Sequence, residues 1–204
     1  MSTNSTKQST NNTQSAALNR RDVVSKLLAN RNGLLVIAGL GAPAWDITAA
    51  GDHPLSFPLW GAMGGAAMVA LGVALAQPTR KVLCVTGDGE MLMGLGSLAT
   101  VGVQHPHNLS IVVLDNERYG ETGMQKTHTA FGVDLAAIAK ASGFARSLRV
   151  TTASGVTRLA SLIHKTTGLL FAQVKISTDP VSLVLPPKDG EVLKNRFRSA
   201  LLDT

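Results

Sequence analysis

Three short apolar runs stand out along the chain: Leu34-Leu35-Val36-Ile37, Lys81-Val82-Leu83-Cys84-Val85-Thr86 and Leu109-Ser110-Ile111-Val112-Val113-Leu114. A fourth is expected from Leu169 to Ile176. Runs of this length, apolar on both faces, read as strands buried between two layers. Between them the spacing predicts helices over residues 62–76, 90–103, 133–142 and 154–166. Ahead of the first run, Asn19 is placed to cap a helix running from Arg20 through Leu28, and Asn32-Gly33 to end it. Strands alternating with helices predict an α/β fold, a three-layer sandwich with a central parallel sheet. The small-residue stretch from Gly61 to Ala76 is about 16 residues long, short of the roughly 20 that cross a bilayer. It reads as a soluble helix, packed closely on another backbone and buried all round.

The polar stretches set the boundaries. Met1 to Leu18 are mostly Ser, Thr, Asn and Gln with no apolar leader core, which predicts a disordered polar tail over 1–18 and a cytoplasmic chain. Residues 19–180 then form one domain. Residues 181–204 form a C-terminal tail with a short basic helix from Glu191 to Leu202, whose Lys194, Arg196 and Arg198 make either a solvated face or an anion-binding one.

Composition narrows the function classes. The 204 residues, 45% hydrophobic and 16% charged, suit a single globular core. A net charge of +6 is compatible with nucleic acid, a membrane surface or small anions. The 4% aromatic content argues against nucleic acid, since single-strand readers stack bases on aromatic rings, and no segment suits a membrane. The single Cys84 excludes an internal disulfide framework, a zinc ribbon or a four-thiolate iron–sulfur cluster within this chain. Its apolar neighbours make it a buried structural thiol.

In open parallel sheets ligands sit beyond the carboxyl ends of strands, so the turns there carry the candidate chemistry. Gly39-Leu40-Gly41-Ala42-Pro43-Ala44 matches a dinucleotide fingerprint, but the acidic residue that motif requires about 20 positions on is missing: no Asp or Glu lies between Asp52 and Asp88. Gly87-Asp88-Gly89 ends a strand run and opens a helix, where glycines and amide groups favour an anion. Asp88 there would repel a bare phosphate. It either caps the helix or holds a divalent cation between itself and the phosphates. Asn116, 28 positions on and just after the next strand, favours the cation, because neighbouring strand ends can bring Asp88, the Asn116 side-chain oxygen and a backbone carbonyl onto one metal.

At these residues the chain resembles the thiamine diphosphate (ThDP) enzymes, whose cofactor motif begins Gly-Asp-Gly and ends, one helix and one strand later, in Asn. The likeness covers residues 20–180 and corresponds to the diphosphate-binding (PP) domain. It implies Mg²⁺ held by Asp88, Asn116 and the main-chain carbonyl of Arg118. Amides of Gly89 and Glu90 would meet the diphosphate, with Gly87 and Tyr119 beside them and the Gly41-Ala42 turn on the other side. Leu59-Trp60-Gly61-Ala62-Met63-Gly64 resembles the pyrimidine-side segment: the Gly61 carbonyl would accept from the 4′-amino group, and Met63 is either the wedge that bends the cofactor or ordinary core. The run from Gly87 to Thr100 and that from Asp115 to Gly123 are nearest to the β subunits, or C-terminal halves, of sulfopyruvate and phosphonopyruvate decarboxylases. Asp115 replaces an Asn common elsewhere in the family, a change this subgroup shares. Glu90 stands where a small residue is frequent, so its carboxylate must point away from the diphosphate.

The resemblance also implies what lies elsewhere. ThDP catalysis requires a glutamate on the pyrimidine N1′, supplied by a pyrimidine-binding (PYR) domain, and this sequence contains none. The expectation is one subunit of an α2β2 or larger hetero-oligomer whose partner carries that glutamate, and whose substrate is a small anionic 2-oxo acid. Lys126, Thr127, His128 and Thr129, just after the proposed metal loop, are candidate substrate-facing groups, Lys126 and Thr127 as substrate-binding ones. His128 is a candidate proton shuttle or a solvated histidine; His105 and His107, flanking Pro106, are expected at the surface. Alternative readings are a ThDP carboligase or acyl-CoA lyase subunit, a 2-oxo acid:ferredoxin oxidoreductase β subunit, which usually has cluster cysteines missing here, or a non-catalytic ThDP-binding scaffold.

Overall fold

The computed structural model describes residues 17–202. Asn19 accepts from the amides of Arg21 and Asp22 and so starts α1 (Arg20–Leu28) as its cap. There follow β1 (Leu35–Ala38), α2 (Ala42–Ala49), β2 (Ser56–Pro58), α3 (Ala66–Ala76), β3 (Val82–Gly87), α4 (Asp88–Met93), α5 (Ser97–Gln104) and β4 (Leu109–Asp115). A small antiparallel hairpin, β5 (Arg118–Tyr119) and β6 (Gln125–Lys126), precedes α6 (Leu135–Ala141), β7 (Arg146–Val150), α7 (Ala153–Lys165), β8 (Leu170–Lys175) and α8 (Gly190–Leu202).

Six strands form one parallel sheet in the order β2-β1-β3-β4-β8-β7. Alternate residues feed two cores. Leu35, Ile37, Val82, Cys84, Ile111 and Phe171 pack toward α3, α5, α6 and α8. Val36, Ala38, Leu83, Val85, Val112 and Ala172 pack toward α1, α2 and α7. With both faces covered, the central strands gain no polar face, which is why they read as continuous apolar runs. The architecture is the expected three-layer sandwich. Cys84 is buried within it, and burial pushes its thiol pKa up.

Several boundaries differ from the sequence pattern. The helix expected over 62–76 begins at Ala66, because Ala62 and Gly64 take φ of 57° and 90° and form a turn. It is not buried all round: Met68 and Leu75 are exposed. The helix expected over 90–103 is two, broken at Gly94, where a Cβ would stand 2.2 Å from the Gly64 carbonyl oxygen. Helix α2 and edge strands β2 and β7 are additions. Leu18, at the end of the expected tail, forms a parallel bridge with Ile176, and the rest of that expectation falls on residues 1–16, outside the described residues.

The C-terminal segment packs against the domain. Trp60 Nε1 donates to the Pro187 carbonyl (2.7 Å) and Arg21 Nη2 to that of Ser182 (2.7 Å). In α8, Leu193 and Phe197 are buried, the Phe197 ring lies 5.5 Å from Phe57, and Arg196 forms a two-pronged pair with Asp52 (2.6 and 2.9 Å). Lys194 and Arg198 are exposed. No helix among the described residues is long and apolar enough to cross a membrane.

From β1 the chain crosses outward to β2 and then back past β1 to β3, so strand order reverses between β1 and β3. The loops leaving their carboxyl ends diverge there and open a crevice.

Candidate active site at the switch point

The crevice holds a cavity of about 220 Å³. Its walls are the turn after β1 (Leu40, Ala42, Pro43), the end of β3 with the start of α4 (Gly87, Asp88, Gly89, Glu90), the loop after β4 (Asn116, Arg118, Tyr119), and Met63. Gly41 and Gly61 do not line it directly, although Gly41, at φ 71°, shapes the turn between Leu40 and Ala42. Glycine serves different ends in the β3 turn. A Cβ at Gly87 would meet nothing within 4 Å, whereas one at Gly89 would lie 2.6 Å from Tyr119 Cε1.

Asp88 is the first residue of α4, whose cap is Gly87, and its carboxylate does not cap the helix. Oδ2 instead accepts from the hydroxyls of Thr127 and Thr129 (3.2 Å for the latter). Burial, the largest effect, raises its pKa from 3.8 to about 6, the Thr127 hydroxyl opposes this, and Asp115 adds a smaller upward push. No lysine or arginine pairs with Asp88 among the described residues. A buried carboxylate with neutral donors and no cationic partner suits a hard divalent cation, and the amide oxygen of Asn116 on the same wall is a second oxygen ligand of the right kind. No cluster of three His, Cys, Asp or Glu side chains exists among the described residues, so side-chain carboxylates alone would not hold a metal here.

The loop carrying Asn116 is built by its own side chains. Asp115 Oδ1 accepts from the Glu117 amide (3.0 Å) and Asn116 Oδ1 from the Arg118 amide (2.9 Å), successive Asx turns that place Glu117 at φ 62°. Asp115 is fully buried yet fully bonded: Thr129 donates to Oδ1 (2.8 Å), while Gln173 and Lys175 donate to Oδ2. Thr129 thus bridges Asp88 at the start of α4 and Asp115 at the end of β4, and Gln173 and Lys175 of β8 hold Asp115 from the other side.

Glu90 lines the cavity and packs its carboxylate against Thr86 and Gly39. Thr86 Oγ1 donates to its Oε2 (2.9 Å), and a Cβ on Gly39 would fall within the Glu90 carboxylate. Burial pushes its pKa up, against the weaker effect of Thr86 and the backbone amides of Ala66, Gly64 and Leu40. Those amides favour the charged form, yet Oε1 has no partner at hydrogen-bonding geometry.

The four expected substrate groups do not line the cavity, and Thr129 is buried with its hydroxyl on Asp88 and Asp115. Thr127 is buried, its hydroxyl committed to Asp88 and Thr129, so it supports the carboxylate and cannot face a substrate. Lys126 and His128 are exposed and lie outside the cavity, Lys126 with its ammonium 5.7 Å from the Phe131 ring. His105 and His107 are at the surface as expected. Sequence reasoning missed Arg20, which lines the cavity, and the Asp115–Thr129–Gln173–Lys175 brace. The only signal for the brace was the polar Asp115, Gln173 and Lys175 at the ends of otherwise apolar strands.

Residues 42–173 match the family model described as thiamine pyrophosphate enzyme, C-terminal TPP binding domain. The chain is 41% identical over 173 residues to sulfopyruvate decarboxylase subunit beta of Methanothermobacter thermautotrophicus, an alignment covering 85% of this chain and 84% of that one. It is 39% identical over 179 residues to phosphonopyruvate decarboxylase of Streptomyces hygroscopicus, covering 87% of this chain and 41% of that one. Among solved structures, benzoylformate decarboxylase from Polynucleobacter necessarius superposes with a TM-score of 0.67 at 22% identity, over 86% of this chain and 36% of that one, a likeness of fold.

Proposed function

The chain belongs to the thiamine pyrophosphate enzymes, as their C-terminal TPP binding domain, and from that premise we propose that it is the β subunit of a ThDP- and Mg²⁺-dependent decarboxylase acting on a small anionic 2-oxo acid of the sulfopyruvate or phosphonopyruvate kind. The observation that carries this reading is the cavity at the switch point, where Asp88, Asn116 and Arg118 line one wall and the β1 turn another. Asp88, the Asn116 amide oxygen and the Arg118 carbonyl would hold Mg²⁺ against the diphosphate. Backbone amides of Gly89 and Glu90 would hold the diphosphate, Met63 would press against the bent cofactor, and the Gly61 carbonyl would accept from its 4′-amino group. Bound there, ThDP supplies a nucleophilic carbon and an electron sink for loss of CO₂, while the protein supplies position and electrostatics.

A partner carrying the PYR domain and its glutamate completes this reading, in an α2β2 or larger assembly. Three observations support it. The alignment spans most of a relative that is itself named a subunit. The cavity is smaller than the ~300–1,000 Å³ of a complete small-molecule site. Met63, which lines it, is large, apolar and exposed, as are Trp60 in the same loop and Met93 at the end of α4, the kind of side chains a docking face requires.

The test is co-expression with the neighbouring reading frame and measurement of CO₂ release from sulfopyruvate, phosphonopyruvate, pyruvate and benzoylformate. ThDP- and Mg²⁺-dependent release from one of the first two is expected, and only from the complex. Full turnover by the chain alone would refute the partner, and no release from any acid would refute decarboxylation.

A further inference from the structure

Arg20 is nine-tenths buried, precedes the region matched by the family model, and lines the cavity. Its Nη1 donates to Asp46 Oδ2 (2.6 Å) and to the carbonyl of Ala42 (3.2 Å), the first residue of α2. The guanidinium carbon stands 6.0 Å from the Trp45 ring centroid, a further restraint on its place. Asp46 is fully buried and is shared: Arg21 Nε donates to its other oxygen (2.8 Å). Two guanidinium cations on one carboxylate leave one positive charge in excess, and of the two only Arg20 reaches the cavity. Among the described residues the Arg20 hydrogen bonds all leave from Nη1, so Nε and Nη2 are uncommitted donors on a side chain that lines the cavity.

A carboxylate lies against the same turn. A methyl group at Gly41 would lie 2.8 Å from Oε1 of Glu121, an exposed side chain of the loop between β5 and β6. Glu121 therefore rests its carboxylate against the turn that opens α2.

We infer that Arg20 is a diphosphate-binding residue: the excess cation of the Arg20–Asp46–Arg21 triad, held in place by Asp46 and Trp45, donates to the diphosphate at the β1-turn wall, opposite in charge to Asp88. This rests on the ThDP reading above. Asp46 is a positioning residue, since it touches the cavity only through Arg20. The arrangement also balances the site: Asp88, Glu90 and Glu121 bring three carboxylates to the lining, and a diphosphate entering among them needs cations besides the metal.

The test is calorimetric titration of the co-expressed complex with ThDP at saturating Mg²⁺, with inorganic pyrophosphate as a competitor. Arg20→Met should weaken ThDP by about thirtyfold and pyrophosphate by a similar factor, as for a lost charge-assisted pair. Arg21→Met removes the same ion-pair partner on the side away from the cavity and should lower thermal stability comparably, with ThDP affinity unchanged within about twofold. Arg20→Lys, which can hold Asp46 but lacks the fork to reach both groups, should fall between, and it carries the test if Arg20→Met does not fold. Unchanged ThDP affinity in the folded Arg20 variants overturns the inference, as does a loss for ThDP without one for pyrophosphate, or a raised KM for the acid alone. No Mg²⁺-dependent ThDP binding by the wild-type complex would instead sink the cofactor reading itself.

Discussion

Asp88→Asn separates the two uses of a buried carboxylate. Without a metal Asp88 has the hydroxyls of Thr127 and Thr129 and its own amide but no cationic partner, and burial carries its pKa from 3.8 to about 6. A folded-state value above the unfolded one means that the native protein holds the proton more tightly. The group therefore favours folding below about pH 4, and that contribution is lost as pH rises toward about 6. At neutral pH the ionised carboxylate costs about 3 kcal/mol relative to an unperturbed aspartate. Asparagine keeps an oxygen for Thr127 and Thr129 and removes the charge. The variant should thus unfold about 5 to 10 °C higher than wild type at pH 7.5 without metal, with the difference shrinking as pH falls from 6 to 4. It should also lose Mg²⁺-dependent ThDP binding. Differential scanning calorimetry across pH, with and without ThDP and Mg²⁺, reads both effects. A variant less stable than wild type at pH 7.5, or one that keeps metal-dependent binding, refutes the assignment of Asp88 as an uncompensated metal carboxylate.

Gly94→Ala would set a methyl 2.2 Å from the Gly64 carbonyl oxygen and must push the Met63 turn, for a loss of about 1–3 kcal/mol in urea denaturation; Gly96→Ala, with nothing within 4 Å, should cost much less. Thr129→Val removes a hydroxyl whose single proton is shared between two buried carboxylates, nearer to Asp115 than to Asp88, and a loss of about 1–3 kcal/mol by chemical denaturation, recovered in Thr129→Ser, is expected. Glu90→Gln removes a buried negative charge from beside the proposed diphosphate seat. ThDP titration should find it binding severalfold tighter than wild type, and a marked loss would mean that the carboxylate holds the cradle together.

What the sequence makes legible follows from what is local. β3, β4 and β8 are apolar on both faces because both faces are covered, so each is visible in isolation. The edge strands are not: β2 is three residues ending in Pro58, and β7 carries Arg146 and Arg149 where only one neighbouring strand pairs with it. Helix α2 is masked by its start, Gly41-Ala42-Pro43, which reads as a turn although Pro suits a first helical turn. The break at Gly94 cannot be seen from its neighbours, because its cause is Gly64, which belongs to another crossing segment.

The site divides along the same line. Asp88 and Asn116 each follow a strand directly, so a short window contains both the residue and the reason for its position. Charge compensation has no such window. Asp115 is satisfied from β8 and from Thr129, and Arg20 reaches the cavity from α1 because Asp46 in α2 holds it there. Each pairing joins residues 14 to 60 positions apart. A motif can therefore suggest the proposed anion and metal site at this turn, while the cations and hydroxyls that make a buried aspartate tolerable there become visible only once the sheet has brought them together. Thr127 illustrates the consequence: its position just after the metal loop suggested a substrate contact, and the sheet instead turns its hydroxyl inward onto Asp88, where it lowers the cost of keeping that carboxylate charged.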